Sequence, residues 1–175
     1  MIDPTLAADV NSIARLTGSF TLRSGAVSSE YFDKYRFEAD PALLRRVAAE
    51  MLTLLPSDTE VMAGLELGGV PIATAMSLAS GLPAVFVRKK AKEYGTRQAV
   101  EGRDVRGKRV VLVEDVITTG GAVGDAARLV AEVGGDVIAV VCAIWRGEGA
   151  PRIGALPSLP VIAAMTKEDL AGRTG

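Results

Sequence analysis

Two adjacent carboxylates, Glu114 and Asp115, are followed after Val116 and Ile117 by two hydroxyls, Thr118 and Thr119, and two glycines, Gly120 and Gly121. Carboxylates repel phosphate, but they accept hydrogen bonds from sugar hydroxyls and can face a cation that develops on a sugar ring. A unit charge about 4 Å from a carboxylate feels roughly 4 kcal/mol at an effective dielectric near 20. The glycines do the opposite work: they let the backbone come close to a ligand and turn its N–H groups inward. A helix that begins there adds partial positive charge, about 0.3–1 kcal/mol for an anion, so a polyphosphate needs further cations. The ligand this stretch describes carries phosphate at one end and a hydroxyl-bearing ring at the other.

The elements around it must aim these groups. Val110–Val113 is a short apolar, β-branched run suited to a strand buried on both faces. From Ala122 the pattern becomes helical, with Ala126, Leu129, Val130 and Val133 on one face. The expected order is strand, acidic tip, Thr/Gly loop, helix start, which in an open α/β sheet lies where ligands bind, outside the carboxyl ends of the strands. The chain has neither the Gly-Lys-Ser/Thr of a P-loop nor the G-x-G-x-x-G of a dinucleotide fold. The plain alternative is an ordinary β–turn–α connection with acids at its solvent end.

Val111–Ala122, Val-Leu-Val-Glu-Asp-Val-Ile-Thr-Thr-Gly-Gly-Ala, resembles the ribose-5-phosphate-binding signature of the type I phosphoribosyltransferases. Three further stretches narrow the resemblance to the orotate phosphoribosyltransferases. Phe20-Thr-Leu-Arg-Ser-Gly25 followed by Ser29-Glu-Tyr-Phe-Asp33 is similar to that family's hood over the base. By that resemblance Arg23 is a polar contact near the ligand, and Tyr31 and Phe32 flank the base, as stacking on a planar pyrimidine requires. Arg88-Lys-Lys-Ala-Lys-Glu-Tyr-Gly95 resembles the catalytic loop. It implies that Arg88, Lys89 and Lys92 hold pyrophosphate, that Lys92 is the lysine most tied to catalysis, and that Tyr94 stands where other members have His or Tyr. Leu67-Gly68-Gly69 is similar to the pyrophosphate-binding turn; many members carry a basic residue where this chain has Gly68. Arg146, after an apolar run, matches the arginine that forks onto the orotate carboxylate; read alone it is a surface charge at a strand end.

The resemblance implies transfer of the 5-phosphoribosyl group from 5-phosphoribosyl 1-diphosphate (PRPP) to orotate. Thr118–Ala122 would hold the 5′-phosphate, with Thr118 also near the base. Glu114 and Asp115 would meet the ribose hydroxyls; because neighbouring strand residues face opposite ways, one of them is the main ligand and the other stands behind it. Mg2+ would ride mainly on PRPP oxygens without a direct protein ligand. A homodimer is implied too, with Lys89 and the loop reaching the neighbouring site. The same fold also serves enzymes for other nucleobases and non-catalytic PRPP-binding regulators.

Composition sets the remaining bounds. The 175 residues, 49% hydrophobic, suit one domain with a packed core. A net charge of −1 offers no basic surface for nucleic acid, and no apolar stretch reads as a membrane span. With no histidine, acid–base or charge work falls to Lys, Asp, Glu, Tyr or a metal. The single Cys142 lies in an apolar run and reads as core. Without a disulfide or a signal-peptide core, a cytoplasmic location is expected.

Along the chain the pattern predicts a helix from Asp3-Pro4 to about Leu16 and a hairpin turning at Ser24-Gly25, its second strand starting near Glu30. A helix from Asp40-Pro41 should end before Pro56, and another should run from Pro71 to Ser80. Strands are expected over Val61–Gly64, Pro83–Arg88, Val137–Trp145 and Pro160–Ala164. Thr166-Lys-Glu-Asp169 reads as a capping box. The fold expected is α/β: a mostly parallel central sheet flanked by helices, with residues 1–40 as a small N-terminal hood and 89–104 as a mobile catalytic loop.

Overall fold

The computed structural model describes residues 4–22, 24–90 and 99–172. In chain order these form α1 (Pro4–Ala14), β1 (Arg15–Thr21), β2 (Val27–Phe32), α2 (Tyr35–Ala39), α3 (Pro41–Leu52), β3 (Val61–Leu65) and α4 (Gly69–Ser80). There follow β4 (Ala84–Val87), β5 (Val100–Glu101), β6 (Arg109–Ile117), α5 (Gly121–Glu132), β7 (Asp136–Trp145), β8 (Val161–Thr166) and α6 (Lys167–Ala171). The six-stranded sheet has the order β5-β4-β3-β6-β7-β8. Every pairing in it is parallel except that of β5, antiparallel on the β4 edge. β1 and β2 pair separately as an antiparallel hairpin.

Helices cover both faces, and the alternation along β6 sorts the core. Val111 and Val113 face α1, α3, α4 and α6, while Val110 and Leu112 face α5. β3 and the later part of β7 are buried continuously, as strands enclosed on both faces should be. Leu6, Val10 and Ala14 pack α1 into the first of these layers. Local sequence fixes the ends. Asp40 accepts from the N–H groups of Ala42 and Leu43 at 2.9 Å to cap α3, with Pro41 in its first turn. Thr166 and Asp169 exchange a full capping box at α6.

Chain order departs from spatial order in one useful way. After β3 the chain goes to β4 on one side, then crosses to β6 on the other. The switch point therefore lies between β3 and β6, and their carboxyl ends open the crevice where α/β proteins bind ligands.

Several boundaries differ from the expectation, each for a physical reason. α1 stops at Ala14 and not at Leu16, because Arg15 and Leu16 pair with Phe32 and Tyr31; Gly18 lies inside β1, at an irregularity between Thr17 and Phe20. β2 starts at Val27 and not at Glu30, since Thr21 pairs with Val27. α2, five residues long, is too short to show a period, and α3 ends at Leu52 with Thr53 as its C-cap. α4 begins at Gly69, two residues before Pro71. β6 does not end at Val113: it runs on to Ile117, so the acids are strand residues and not a tip. In α5 it is Val123 and Ala127 that join Ala126 and Val130 in the core, whereas Val133 is exposed. β8 runs to Thr166, and the polar stretch after β4 returns to the sheet as β5, Val87 pairing with Val100. The expected cap Asp3 lies outside the described residues.

Candidate active site

Of the described residues picked from sequence, Leu67–Gly69, Arg88, Lys89, Glu114–Ala122 and Arg146 lie at the carboxyl ends of β3, β4, β6 and β7. The loop after β6 is the cradle. Thr118, Thr119, Gly121 and Ala122 are exposed, whereas Gly120 is buried with φ +79°. A Cβ on Gly120 would sit 2.6 Å from Ile153 Cγ1, so both the backbone angle and the packing require glycine. No side chain caps α5 at this end, which leaves its first-turn N–H groups for a ligand. The segment after β7 braces the loop from behind: Trp145 Nε1 donates to the Gly149 carbonyl at 2.9 Å, and Gly147 packs close to the Thr118 carbonyl.

The acid pair is enclosed. Asp115 is 0% exposed and Glu114 8%. Asp115 Oδ1 accepts from the Val116 N–H, and its Oδ2 pairs with the Lys34 ammonium. Glu114 Oε1 accepts from the Asp115 N–H at 3.0 Å. Glu38 of α2, also buried, turns its Oε1 to the same space beside Gly68 that Asp115 Oδ2 borders. Beside them is the turn Leu67-Gly68-Gly69 that starts α4. A Cβ on Gly68 would fall 1.7 Å from Asp115 Oδ2 and 2.8 Å from Glu38 Oε1, and one on Gly69 2.3 Å from the Val113 carbonyl oxygen. The turn after β3 is thus in direct contact with β6, and glycine at 68 is what makes room for the carboxylates.

Charge is divided unevenly in this cluster. Burial, then the hydrogen bond to Asp115, pushes Glu38 up to about 8. Burial, then Asp115 again, pushes Glu114 up to about 9. Burial also works to raise Asp115, but hydrogen bonds from Glu114 and Lys34 outweigh it and hold that carboxyl below its usual range. Burial works to lower Lys34, and Asp115 more than offsets it, so the ammonium is strengthened. In the ligand-free cluster the charge thus settles on the Asp115–Lys34 ion pair, and Glu38 and Glu114 hold their protons more tightly than ordinary carboxyls.

Stability follows with a definite sign. An acid raised in the folded state contributes stability that is complete below its unfolded value near 4.5 and is lost as pH climbs toward about 8 and 9. The lowered Asp115 contributes the reverse, stability that is lost as pH falls through its folded value. The melting temperature of the ligand-free protein should peak in the mildly acidic range and fall by pH 9. A loss of about 2 kcal/mol corresponds to roughly 4–8 °C in a domain of this size. Calorimetry across that range checks it; a flat profile would contradict the two protonated carboxyls.

On the other side of the crevice, Arg146 at the end of β7 lies over the Phe32 ring, 5.3 Å from guanidinium carbon to centroid. Its backbone N–H donates to the Ile117 carbonyl at 2.8 Å, which ties it to the end of β6. Phe32 and Arg146, far apart in sequence, thus form one patch. Tyr31, next to Phe32 in an alternating strand, turns the other way and meets Phe20 at 5.5 Å between centroids.

The cations after β4 begin at the same end. The Lys89 N–H donates to Glu66 Oε2 at 2.9 Å, linking this segment to the turn after β3. Glu66, Arg88, Lys89, Ala122 and Asp125 line a cleft of about 280 Å3 that joins turn, cations and cradle. A larger cavity of about 700 Å3, lined by Arg103, Arg106 and Glu132 among others, lies at the opposite end of the strands, away from these motifs. Arg23, Lys92 and Tyr94 lie outside the described residues. Cys142 is buried in the second core layer, where burial pushes its thiol up and leaves it unreactive.

Sequence reasoning missed Lys34, Glu38, Glu66 and Ile153. The first two had a faint signal, an acid four residues after a lysine beside a helix cap. Glu66 and Ile153 act through contacts that only the fold creates.

Known proteins resemble this chain over most of its length. Residues 36–158 match the model of the phosphoribosyl transferase domain. The chain is 58% identical over 169 residues to an orotate phosphoribosyltransferase of Nocardioides sp., covering 97% of this chain and 94% of that one. Its fold is similar to the crystal structure of Mycobacterium tuberculosis orotate phosphoribosyltransferase bound to Fe(III) dicitrate, with TM-score 0.82, 33% identity, and 95% and 97% of the two chains covered. The same mycobacterial enzyme in complex with PRPP aligns with TM-score 0.77 and 31% identity over 96% and 98% of the two chains.

Proposed function

We propose that this chain, which belongs to the phosphoribosyl transferase domain family and within it to the orotate phosphoribosyltransferases, transfers the 5-phosphoribosyl group of PRPP to orotate. The products are orotidine 5′-monophosphate and pyrophosphate, a step of pyrimidine biosynthesis. One observation carries the reading. The uncapped start of α5, the enclosed acids of β6, the Gly68 turn and the Phe32–Arg146 patch all converge on the β3/β6 switch point.

PRPP lies along that crevice. Its 5′-phosphate sits on the N–H groups and hydroxyls of Thr118–Ala122, with Val116 and Ile117 carrying the strand up to them. Glu114, the less enclosed acid, meets the ribose hydroxyls, while Asp115 stands behind it and joins β6 to the turn after β3. The diphosphate lies toward Leu67–Gly69, Arg88 and Lys89, with Lys92 and Tyr94 closing over it. Orotate stacks near Phe32, its carboxylate on the Arg146 fork, Thr118 beside it, and Tyr31 and Arg23 completing the hood.

As the C1–oxygen bond to pyrophosphate breaks, the orotate ring nitrogen bonds to C1. Positive charge that gathers on the ribose faces the acids, and negative charge on the leaving group faces the cations. With no histidine in the chain, rate comes from pre-placed charge and from exclusion of water. Magnesium, when bound, neutralises diphosphate oxygens. No cluster of three or more metal-ligating His, Cys, Asp or Glu side chains forms among the described residues. No helix among the described residues is long and apolar enough to cross a membrane. We place the enzyme in the cytoplasm as a homodimer in which Lys89 and the 89–104 loop, rooted at their own crevice, also reach the neighbouring site, and hold residues 1–40 to be the hood of a single domain.

Orotidine monophosphate formation from PRPP and orotate, with and without Mg2+ and against other nucleobases, tests the reading. Metal-dependent product from orotate and not from uracil or purines is expected. Turnover of another base would reassign the substrate, and PRPP binding without turnover would make the chain a regulator.

A further inference from the structure

Glu38 lies outside every motif read from the sequence, yet its carboxyl reaches the centre of the crevice. It is 8% exposed, and its Oε1 has no N–H or O–H donor. Asp115 Oδ2 is paired with the Lys34 ammonium and has no second partner. Both oxygens border the same spot, the place a side chain on Gly68 would fill. Two buried carboxylate oxygens cannot face each other while both are charged, but a shared proton turns the repulsion into a hydrogen bond.

We propose that Glu38 is a positioning residue for the transfer reaction: its carboxyl shares a proton with Asp115 and, together with the Lys34 ammonium, clamps Asp115 against Gly68, fixing the turn after β3 relative to the acid pair of β6. The inference rests on the assignment of PRPP to this crevice. The clamp joins the turn assigned to the diphosphate to the strand that carries the ribose acids and leads into the phosphate loop, so its loss acts on PRPP and leaves the orotate patch of Phe32 and Arg146 alone.

The groups facing Glu38 define its pH behaviour. From β6 comes Asp115, with Glu114 next to it; from the segment before α2 come Lys34 and Asp33; from the turn after β3 comes only backbone. Glu38 leaves its neutral form at about 8, because burial and Asp115 outweigh the opposing pull of Lys34. Above that pH it repels Asp115 and the clamp opens.

Three variants test this. Glu38→Leu, which fills space but cannot hydrogen-bond, should raise the KM for PRPP about tenfold with little change in the KM for orotate. Glu38→Gln keeps a donor to Asp115 at every pH; it should recover most of that loss and remove the decline in kcat/KM for PRPP that is expected of the unaltered enzyme above pH 8. Lys34→Met should also raise the KM for PRPP. In the ligand-free protein, one side-chain carboxyl carbon resonance should titrate near pH 8 and disappear in Glu38→Gln. That measurement needs no turnover, so it separates failure of the clamp from failure of the functional reading. Identical pH profiles for Glu38→Gln and the unaltered enzyme, no carboxyl titrating near pH 8, or equal losses toward PRPP and orotate would each overturn the proposal.

Discussion

Gly68→Lys, which installs the basic residue that many chains of this resemblance carry in the turn, should cripple this enzyme and not improve it: kcat/KM for PRPP is expected to fall at least about 100-fold. The obstacle is the first atom of the side chain. A Cβ at this position would lie 1.7 Å from Asp115 Oδ2 and 2.4 Å from its Cγ, with Glu38 Oε1 at 2.8 Å. The carboxylate has nowhere to go, being 0% exposed and held by the Val116 N–H and Lys34. The backbone has no slack either, because Gly69 is pressed on the Val113 carbonyl. Overpacking of this kind costs typically about 1–3 kcal/mol of stability, and breaking a buried ion pair adds to it. Gly68→Ala is the informative companion. If the cause is the clash at Cβ, alanine should lose nearly as much as lysine; if the cause were charge, alanine would be nearly neutral. Steady-state kinetics together with urea melts of both variants distinguish the two, and an active, stable Gly68→Ala would refute the packing argument.

The glycine at 68 shows where sequence stops being readable. Its neighbours in the chain marked a turn into a helix, and that much is local chemistry. What forbids a side chain there comes from β6 and α2, 47 and 30 positions away, through contacts set by sheet order. The parallel sheet and its flanking helices were legible because their signals are periodic and local: β-branched runs for β3, β6 and β7, and caps such as Asp40 and Thr166. The β6 cradle was legible because one continuous stretch supplies acids, hydroxyls, glycines and helix start. α2 was not, since five residues show no period, and with it went Lys34 and Glu38. The length of β6 was misjudged for a related reason. Carboxylates at the end of an apolar run read as solvent-facing, but pairing with β7 carries the strand to Ile117, and Lys34 and Glu38 cover the charge. Phe32 and Arg146 were each visible singly; their meeting depends on the hairpin folding back over β7.

Lys92→Ala should lower kcat for orotidine monophosphate formation by about 100- to 1000-fold, the range that removal of one well-placed charge-stabilising donor typically produces. Lys92 lies outside the described residues; its expected role follows from the sequence and from what flanks it. Arg88 and Lys89 line the cleft that runs from Glu66 to the cradle, so in the proposed binding mode the start of this cationic segment faces the diphosphate of PRPP. A helix start contributes only about 0.3–1 kcal/mol to an anion, and the Gly68 turn offers backbone alone, so side-chain cations must carry the rest. Arg88 and Lys89 can bind the diphosphate in the ground state. A lysine from the segment beyond them acts on charge that develops as the C1–oxygen bond breaks, and such an interaction shows in kcat more than in KM. Lys92→Ala should therefore leave the KM for PRPP within a few-fold, whereas Lys89→Ala should raise it. Lys92→Arg keeps the charge in a different shape and should retain an intermediate rate. Unchanged turnover in Lys92→Ala would move the neutralising role to the metal and to Arg88 and Lys89; a rise in KM alone would make Lys92 a binding residue and not a catalytic one.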